Sequence, residues 1–218
     1  MKLLKLLFVI FIPVTSYCQT IKSIFRQLPI ECTPDLNNKE KEILLQKHSY
    51  TIPGGDSIET VNYTIDDMSK DYMQYEYSFT TGQNGFNIYE LKVFKSLNGS
   101  DIIIFSTYGG TRASFFQNDL KIFYLKNGHL VEDKKQRLLP QSISIDHFLK
   151  KKTPDSIKKI IEQAMSTSYF LTSERKKSIE FTIYPEYPLK EYEKWILGYS
   201  FIFTWTGNKF IRKINLEK

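Results

Sequence analysis

Three tight turns constrain the fold of this chain more than any other feature of its sequence. Each turn joins two segments in which apolar and polar residues alternate, and the turns are Asn98-Gly99, Asn127-Gly128 and Gly207-Asn208. Asn-Gly suits a short hairpin because both central residues of a type I′ turn take a positive φ. Parallel strands need long crossover connections instead. The turns therefore predict a sheet of antiparallel neighbours.

The alternation and two helical segments together predict an α+β domain. Strands are expected over 59–65, 73–80, 86–97, 101–108, 120–126, 129–132, 178–184, 196–205 and 209–214. Helices are expected over 36–48 and 154–165, with Thr153 as the N-cap of the second. We interpret residues 19–218 as a single domain: a curved, mostly antiparallel β-sheet of about eight to ten strands with two main flanking helices.

Residues 1–18 have the pattern of an export signal. Lys2 and Lys5 precede the apolar run 6–14, and Cys18 follows at the position where a signal peptidase accepts a small residue. The apolar run is too short to span a bilayer. We therefore expect a signal peptide over 1–18 and a mature chain that begins at Gln19. The mature chain is expected in the periplasm or outside the cell, with no transmembrane segment.

Lipoprotein anchoring at Cys18 is the alternative outcome of export. A bacterial lipoprotein signal has a small residue before the modified cysteine and usually a leucine two positions earlier. This chain has Tyr17 and Thr15 at those positions, which favours a free protein. Removal of Cys18 leaves Cys32 as the one remaining cysteine, so we expect no intramolecular disulfide and a small buried thiol.

The charge of the chain limits its partners. The formal net charge of +6 falls to +4 when Lys2 and Lys5 are removed with the signal. Much of the remaining positive charge lies in 121–177, where acidic residues interrupt the lysines. Such a segment is typical of a solvated surface. We expect no nucleic-acid partner, because an exported protein rarely meets nucleic acid.

Two places in the sequence are candidates for binding. Gly109 and Gly110 follow a predicted strand, where exposed backbone amides suit an anion, and Arg112 would hold a carboxylate or phosphate with two hydrogen bonds. The alternative is that the glycines relieve a bend or bulge. Trp205 and Phe210 lie at the tip of the last predicted hairpin, where aromatic side chains either join the core or anchor a partner.

Catalytic motifs are sparse. The sequence has three histidines, none at a metal-binding spacing, so we expect neither a metal nor a cofactor. Asp146 precedes His147 and is placed to orient it as in a catalytic triad, but no serine lies in a nucleophile-elbow motif. A hydrolase would therefore have to assemble its site from residues distant in sequence.

The mature chain resembles families of small exported proteins of unknown function from Gram-negative bacteria. The resemblance rests on Cys18-Gln19, on 90–94 leading into Asn98-Gly99, on 119–124 and on 205–210. It implies an exported compartment and this type of fold, and it assigns no catalytic residue. We expect a non-catalytic periplasmic or secreted module that binds an envelope or extracellular protein or a glycan. The alternatives are a hydrolase using Asp146 and His147, and a structural component of the envelope.

Overall fold

The computed structural model describes most of the chain beyond the predicted signal peptide. The described residues are 21–54, 60–79, 85–97, 99–111, 114–135, 137–140, 143–174, 177–185 and 190–215. Arg112, Asn98 and the predicted signal peptide with its junction at Cys18-Gln19 lie outside them. Within the described residues there are three α-helices: α1 (Ile21–Gln27), α2 (Asn38–Lys47) and α3 (Asp155–Gln163). Short 3₁₀ helices cover Ile30–Cys32, Ile145–Phe148 and Lys190–Trp195.

The described strands form two sheets. The seven-stranded sheet contains β1 (Ser49–Ile52), β2 (Val61–Met68), β3 (Tyr72–Phe79), β4 (Phe86–Phe94), β5 (Ile102–Thr111), β6 (Ser114–Lys126) and β7 (His129–Glu132). The four-stranded sheet contains β8 (Met165–Phe170), β9 (Ser178–Pro185), β10 (Ser200–Trp205) and β11 (Phe210–Asn215).

Within each sheet, every strand pairs antiparallel with the next strand in the chain, so the described strands form two successive meanders. The prediction of a mostly antiparallel α+β fold is confirmed. The prediction of one sheet of about eight to ten strands is wrong. The segment between β7 and β8, which contains α3, ends the first meander, and the second meander packs on the face of the first. No helix among the described residues is long and apolar enough to cross a membrane.

The predicted hairpins at Asn127-Gly128 and Gly207-Asn208 are reproduced. The predicted tight turn at Asn98-Gly99 is wrong, because β4 ends at Phe94 and β5 begins at Ile102, so residues 95–101 join these two strands. Asn127 has φ +51° and Gly128 has φ +82°, as a type I′ turn requires, and Lys126 pairs with His129 across it. Gly207 has φ +98° between β10 and β11. These turns fix which strands become neighbours.

The helix ends differ from the predicted bounds. Asn37 caps α2: its side chain accepts hydrogen bonds from the backbone N–H groups of Lys39 and Glu40, while the Glu40 carboxylate accepts one from the N–H of Asn37. The prediction of Thr153 as the N-cap of α3 is wrong. The Thr153 hydroxyl instead donates to the carbonyl of Lys150 at 2.7 Å, and Pro154 occupies the cap position without a side-chain bond.

The large sheet is covered on both of its faces. Helices α1 and α2 cover one of its faces, where residues such as Phe25 and Leu44 pack on Tyr75. The small sheet covers the opposite face, where residues such as Ile104 pack with Phe181. Helix α3 contributes to a separate cluster formed by Leu149, Ile161, Ala164 and Ile196. The expected arrangement of two main flanking helices is therefore not reproduced, because α1 joins α2 on the large sheet and α3 packs elsewhere.

Candidate functional site

Gly109 and Gly110 lie inside β5, so the predicted glycine loop is wrong. Gly109 pairs with Asn87 of β4, and Gly110 pairs with Phe86. A Cβ added at Gly109 would lie 2.2 Å from the carbonyl oxygen of Phe86 and 2.9 Å from Oδ1 of Asn87. Glycine therefore permits a close approach of two strands. The register of β5 against β6 also shifts beside this pair, between Thr107 and Tyr108. With Arg112 outside the described residues, an anion site here remains a prediction.

Trp205 and Phe210 face each other across β10 and β11, with ring centroids 4.9 Å apart. Trp205 is 5% exposed, and its Nε1–H donates to the carbonyl of Lys95 at 2.8 Å. Both rings also contact Phe94 of the large sheet. The pair therefore joins the two sheets. Its predicted role as a partner anchor would depend on Phe210, which is only partly buried.

The side chains of Asp146 and His147 contact different neighbouring residues. The Asp146 carboxylate accepts a hydrogen bond from Nζ of Lys158 at 2.9 Å, and Lys158 lowers the pKa of that carboxyl. The His147 ring makes an edge contact with Phe201 at a centroid distance of 6.3 Å. The acid that was expected to orient the imidazole is therefore engaged by a lysine.

A buried polar network, which no sequence motif predicts, lies on β4. Glu90 and Lys92 are each 1% exposed, and the hydroxyl of Tyr72 donates to Glu90 at 2.7 Å. Burial raises the pKa of Glu90, and the bonds from Leu171 and Tyr72 oppose this shift. These residues alternate with apolar ones in the sequence, which is typical of a strand with one solvated face. The small sheet covers that face, so the network is structural.

A cluster of four tyrosines lies on the helix-covered face of the large sheet, and we call it the tyrosine cluster: Tyr63, Tyr75, Tyr77 and Tyr89. Tyr75 stacks on Tyr89 with centroids 4.7 Å apart and planes 4° apart, while Tyr77 meets Tyr63 edge-on at 5.2 Å. The hydroxyl of Tyr75 donates to the carbonyl of Cys32 at 2.5 Å, and that of Tyr63 donates to the carbonyl of Pro34. The segment after α1 therefore closes one side of the cluster.

The other side of the cluster is partly open. Two cross-strand rows cross the sheet there, Ile52–Val61–Phe79 and Tyr50–Tyr63–Tyr77–Asn87. Five of their residues are only partly buried, and we call them the open row: Tyr50, Ile52, Tyr77, Phe79 and Asn87. Tyr77 and Phe79 meet edge-on at 5.3 Å. The open row thus combines aromatic surface with an amide and two phenol groups.

Asp35 adds a negative charge beside the tyrosine cluster. It is exposed, and its φ of +58° places it in the left-handed region, which Asp tolerates better than most residues. Burial raises the pKa of Tyr77, and the Asp35 carboxylate raises it further. Burial likewise raises the pKa of Tyr89, with further contributions from Tyr77 and Asp35. The phenols therefore stay protonated at neutral pH and can donate hydrogen bonds.

The described residues offer neither an accessible thiol nor a metal-binding group. Cys32 is fully buried, and burial raises the pKa of its thiol to about 12. Among the described residues, no group of three or more His, Cys, Asp or Glu side chains is arranged to hold a metal ion. The open row is therefore the candidate site that the described geometry supports best.

Comparisons with known proteins give information about the fold and none about a functional site. Neither a family model nor a curated protein matches this chain. A solved domain of an uncharacterized protein from Porphyromonas gingivalis W83 is similar, with a TM-score of 0.61 and 13% identity. The match covers 89% of this chain and 98% of that chain. At this identity the likeness shows a shared fold.

Proposed function

We propose that this protein is an exported, non-catalytic binding module that contacts an envelope or extracellular protein or a glycan through the open row. The observation that carries the proposal is the partial exposure of Tyr77 and Phe79 on the helix-covered face of the large sheet. Tyrosine supplies a large, rigid contact area at a low cost in conformational entropy and keeps a polar hydroxyl at its tip. Both properties suit a recognition surface.

The surroundings of Tyr77 support the same proposal. Its ring is held between Tyr63 and Phe79 by edge contacts of 5.2 and 5.3 Å, so little motion has to be frozen when a ligand binds. Asn87, which is next to Tyr77 across β3 and β4, adds a polar amide side chain to the aromatic surface. A few fixed polar groups within an aromatic surface are typical of ligand sites.

Export is the second part of the proposal, and it rests on the pattern of residues 1–18. Its test is the N-terminus of the protein isolated from the producing cell and from the culture medium. Mass spectrometry should find a chain that begins at Gln19 in the periplasm or the medium. A chain retained in the cytoplasm with residues 1–18 attached contradicts export, and lipid on Cys18 would show an anchored protein.

The binding test compares variants of the tagged protein in pull-downs from the envelope and from the medium. Tyr77→Ser and Phe79→Ser are the test variants, and Ile211→Ser is the matched control because Ile211 is 52% exposed on β11. A partner that is retained by the wild type and the control but lost from both test variants supports the open row. Circular dichroism melts establish that the variants are folded.

Two results would overturn this proposal. One is a set of partners that the test variants retain unchanged. The other is turnover of a generic ester, peptide or glycoside substrate by the purified protein, which would indicate an enzyme. If His147→Ala abolished that turnover while the fold was retained, the hydrolase alternative would replace the binding module.

A further inference from the structure

A small cleft between α1 and α2 lies apart from the open row. Its volume is about 280 Å³, and its lining consists of Arg26, Asn38, Lys41 and Glu42. This volume is at the lower end of the range for small-molecule sites, so any occupant has few heavy atoms. The cleft is also close to the first turn of α2, where the helix dipole favours an anion.

Lys41 is the unusual member of this lining. It is 4% exposed, although lysine is almost never fully buried without a partner. Its Nζ donates to the carbonyl of Leu28 at 2.7 Å. An ammonium carries three donors, and within the described part of the chain this carbonyl is the one acceptor assigned to it. Burial also lowers the pKa of Lys41, so a nearby anion would stabilise the charged form.

The charged residues that line the cleft determine which ligand charge it accommodates. Arg26 and Glu42 form a two-bond ion pair, and their side chains are 46% and 41% exposed. This pair is neutral as a unit, so Lys41 leaves the lining with one net positive charge. The Glu42 carboxylate also repels an incoming dianion. One monovalent anion therefore matches the cleft.

We infer that this cleft binds a small monocarboxylate, whose carboxyl group accepts hydrogen bonds from Nζ of Lys41. The carboxylate takes the donors that Leu28 leaves unused, and the Asn38 amide and the free N–H groups of Arg26 lie on the same lining. The alternative is a purely structural role, in which Lys41 only connects α2 to the end of α1 through its hydrogen bond to the Leu28 carbonyl. The two roles differ in whether an added carboxylate binds.

The test is a titration of the full chain with acetate and propionate at constant ionic strength, followed by amide NMR. Saturable shifts at residues of α1 and the first turn of α2 are expected in the wild type. Lys41→Met should weaken binding about tenfold, as expected for loss of one charge-assisted hydrogen bond. The control Lys39→Met removes the same charge from an exposed position of α2 and should leave the affinity unchanged within about twofold.

Three outcomes would overturn the inference. Shifts that do not saturate, or that chloride reproduces, would show an effect of salt alone. Sulfate, a dianion, would exclude a preference for monovalent anions if it bound more tightly than acetate. Equal loss of affinity in Lys39→Met and Lys41→Met would show an effect of net charge. If Lys41→Met does not fold, the titrations of the wild type still test whether the cleft binds a monocarboxylate.

Discussion

Glu90 and Lys92 hold opposite ends of the same residue, Leu171. The Glu90 carboxylate accepts a hydrogen bond from the N–H of Leu171 at 2.7 Å, and Nζ of Lys92 donates to the Leu171 carbonyl at 2.6 Å. Both side chains leave the same face of β4, and Leu171 directly follows β8. Because β4 belongs to the large sheet and β8 to the small one, these bonds connect the two sheets.

Lys92→Met should destabilise the protein strongly. Nζ of Lys92 also donates to the carbonyls of Thr172 and Ser178, so its loss leaves buried acceptors unpaired and Glu90 without its neighbouring cation. We expect the free energy of unfolding to fall by about 3–5 kcal/mol. Urea unfolding followed by circular dichroism measures this. The control is Lys95→Met, which removes an exposed ion pair with Asp101, and a similar loss in both variants would contradict the prediction.

Stability should depend on pH through Glu90. Burial raises the folded-state pKa of Glu90 above its ordinary value of 4.5. The folded protein therefore keeps this proton to a higher pH than the unfolded chain does. The resulting stability is present below pH 4.5 and is lost as the pH rises through the folded-state pKa. The difference in unfolding free energy between wild type and Glu90→Gln should decrease over this window, and a difference that is constant or increasing would refute the assignment.

Gly109→Ala should destabilise the large sheet without any change in charge. The added Cβ would lie 2.2 Å from a backbone oxygen of Phe86, so β4 and β5 must move apart. We expect a loss of about 1–3 kcal/mol in a thermal or urea melt, as for other overpacked sites. Gly99→Ala is the steric control, because a Cβ there meets no atom within 4 Å. An equal or larger loss at Gly99 would argue against the close approach at Gly109.

Cys32 should be unreactive in the folded protein. Its thiol is fully buried and its pKa is raised to about 12, so the thiolate that reacts with disulfide reagents is scarce at neutral pH. In the chain that begins at Gln19, where Cys32 is the single thiol, labelling should be slow in buffer and fast in urea. Rapid labelling of the folded protein would show that the segment over the tyrosine cluster opens readily.

Local signals account for the parts of the fold that were predicted. The Asn127-Gly128 turn and the antiparallel neighbours follow from backbone preferences within a few residues. The strand β1 was missed because its alternation covers only the four residues Ser49–Ile52, and β8 was missed because Met165–Phe170 has no clear apolar alternation. They form because an adjacent strand supplies their hydrogen bonds, which is a tertiary effect.

The candidate site was harder to predict than the fold. Gly109 was singled out as part of a loop, and its position beside Asn87 depends on the register of β4 against β5. Tyr77 and Phe79 lie on a predicted strand, but their partial exposure depends on where α1 and α2 end on the sheet face. Trp205 was expected either to join the core or to anchor a partner, and its burial depends on contact with Phe94 from a distant strand.

The sequence by itself determined the antiparallel meander, the approximate helices and the buried character of Cys32, because turn chemistry and side-chain periodicity act over short distances. Only the tertiary structure decided that the strands divide into two packed sheets. That packing buries Glu90 and Lys92, which alternate with apolar residues as exposed strand residues do. On the opposite face of the large sheet, the packing of α1 and α2 leaves Tyr77 and Phe79 partly exposed and Lys41 buried. These outcomes depend on which faces meet, and the pairing of faces is set by contacts between residues far apart in the chain.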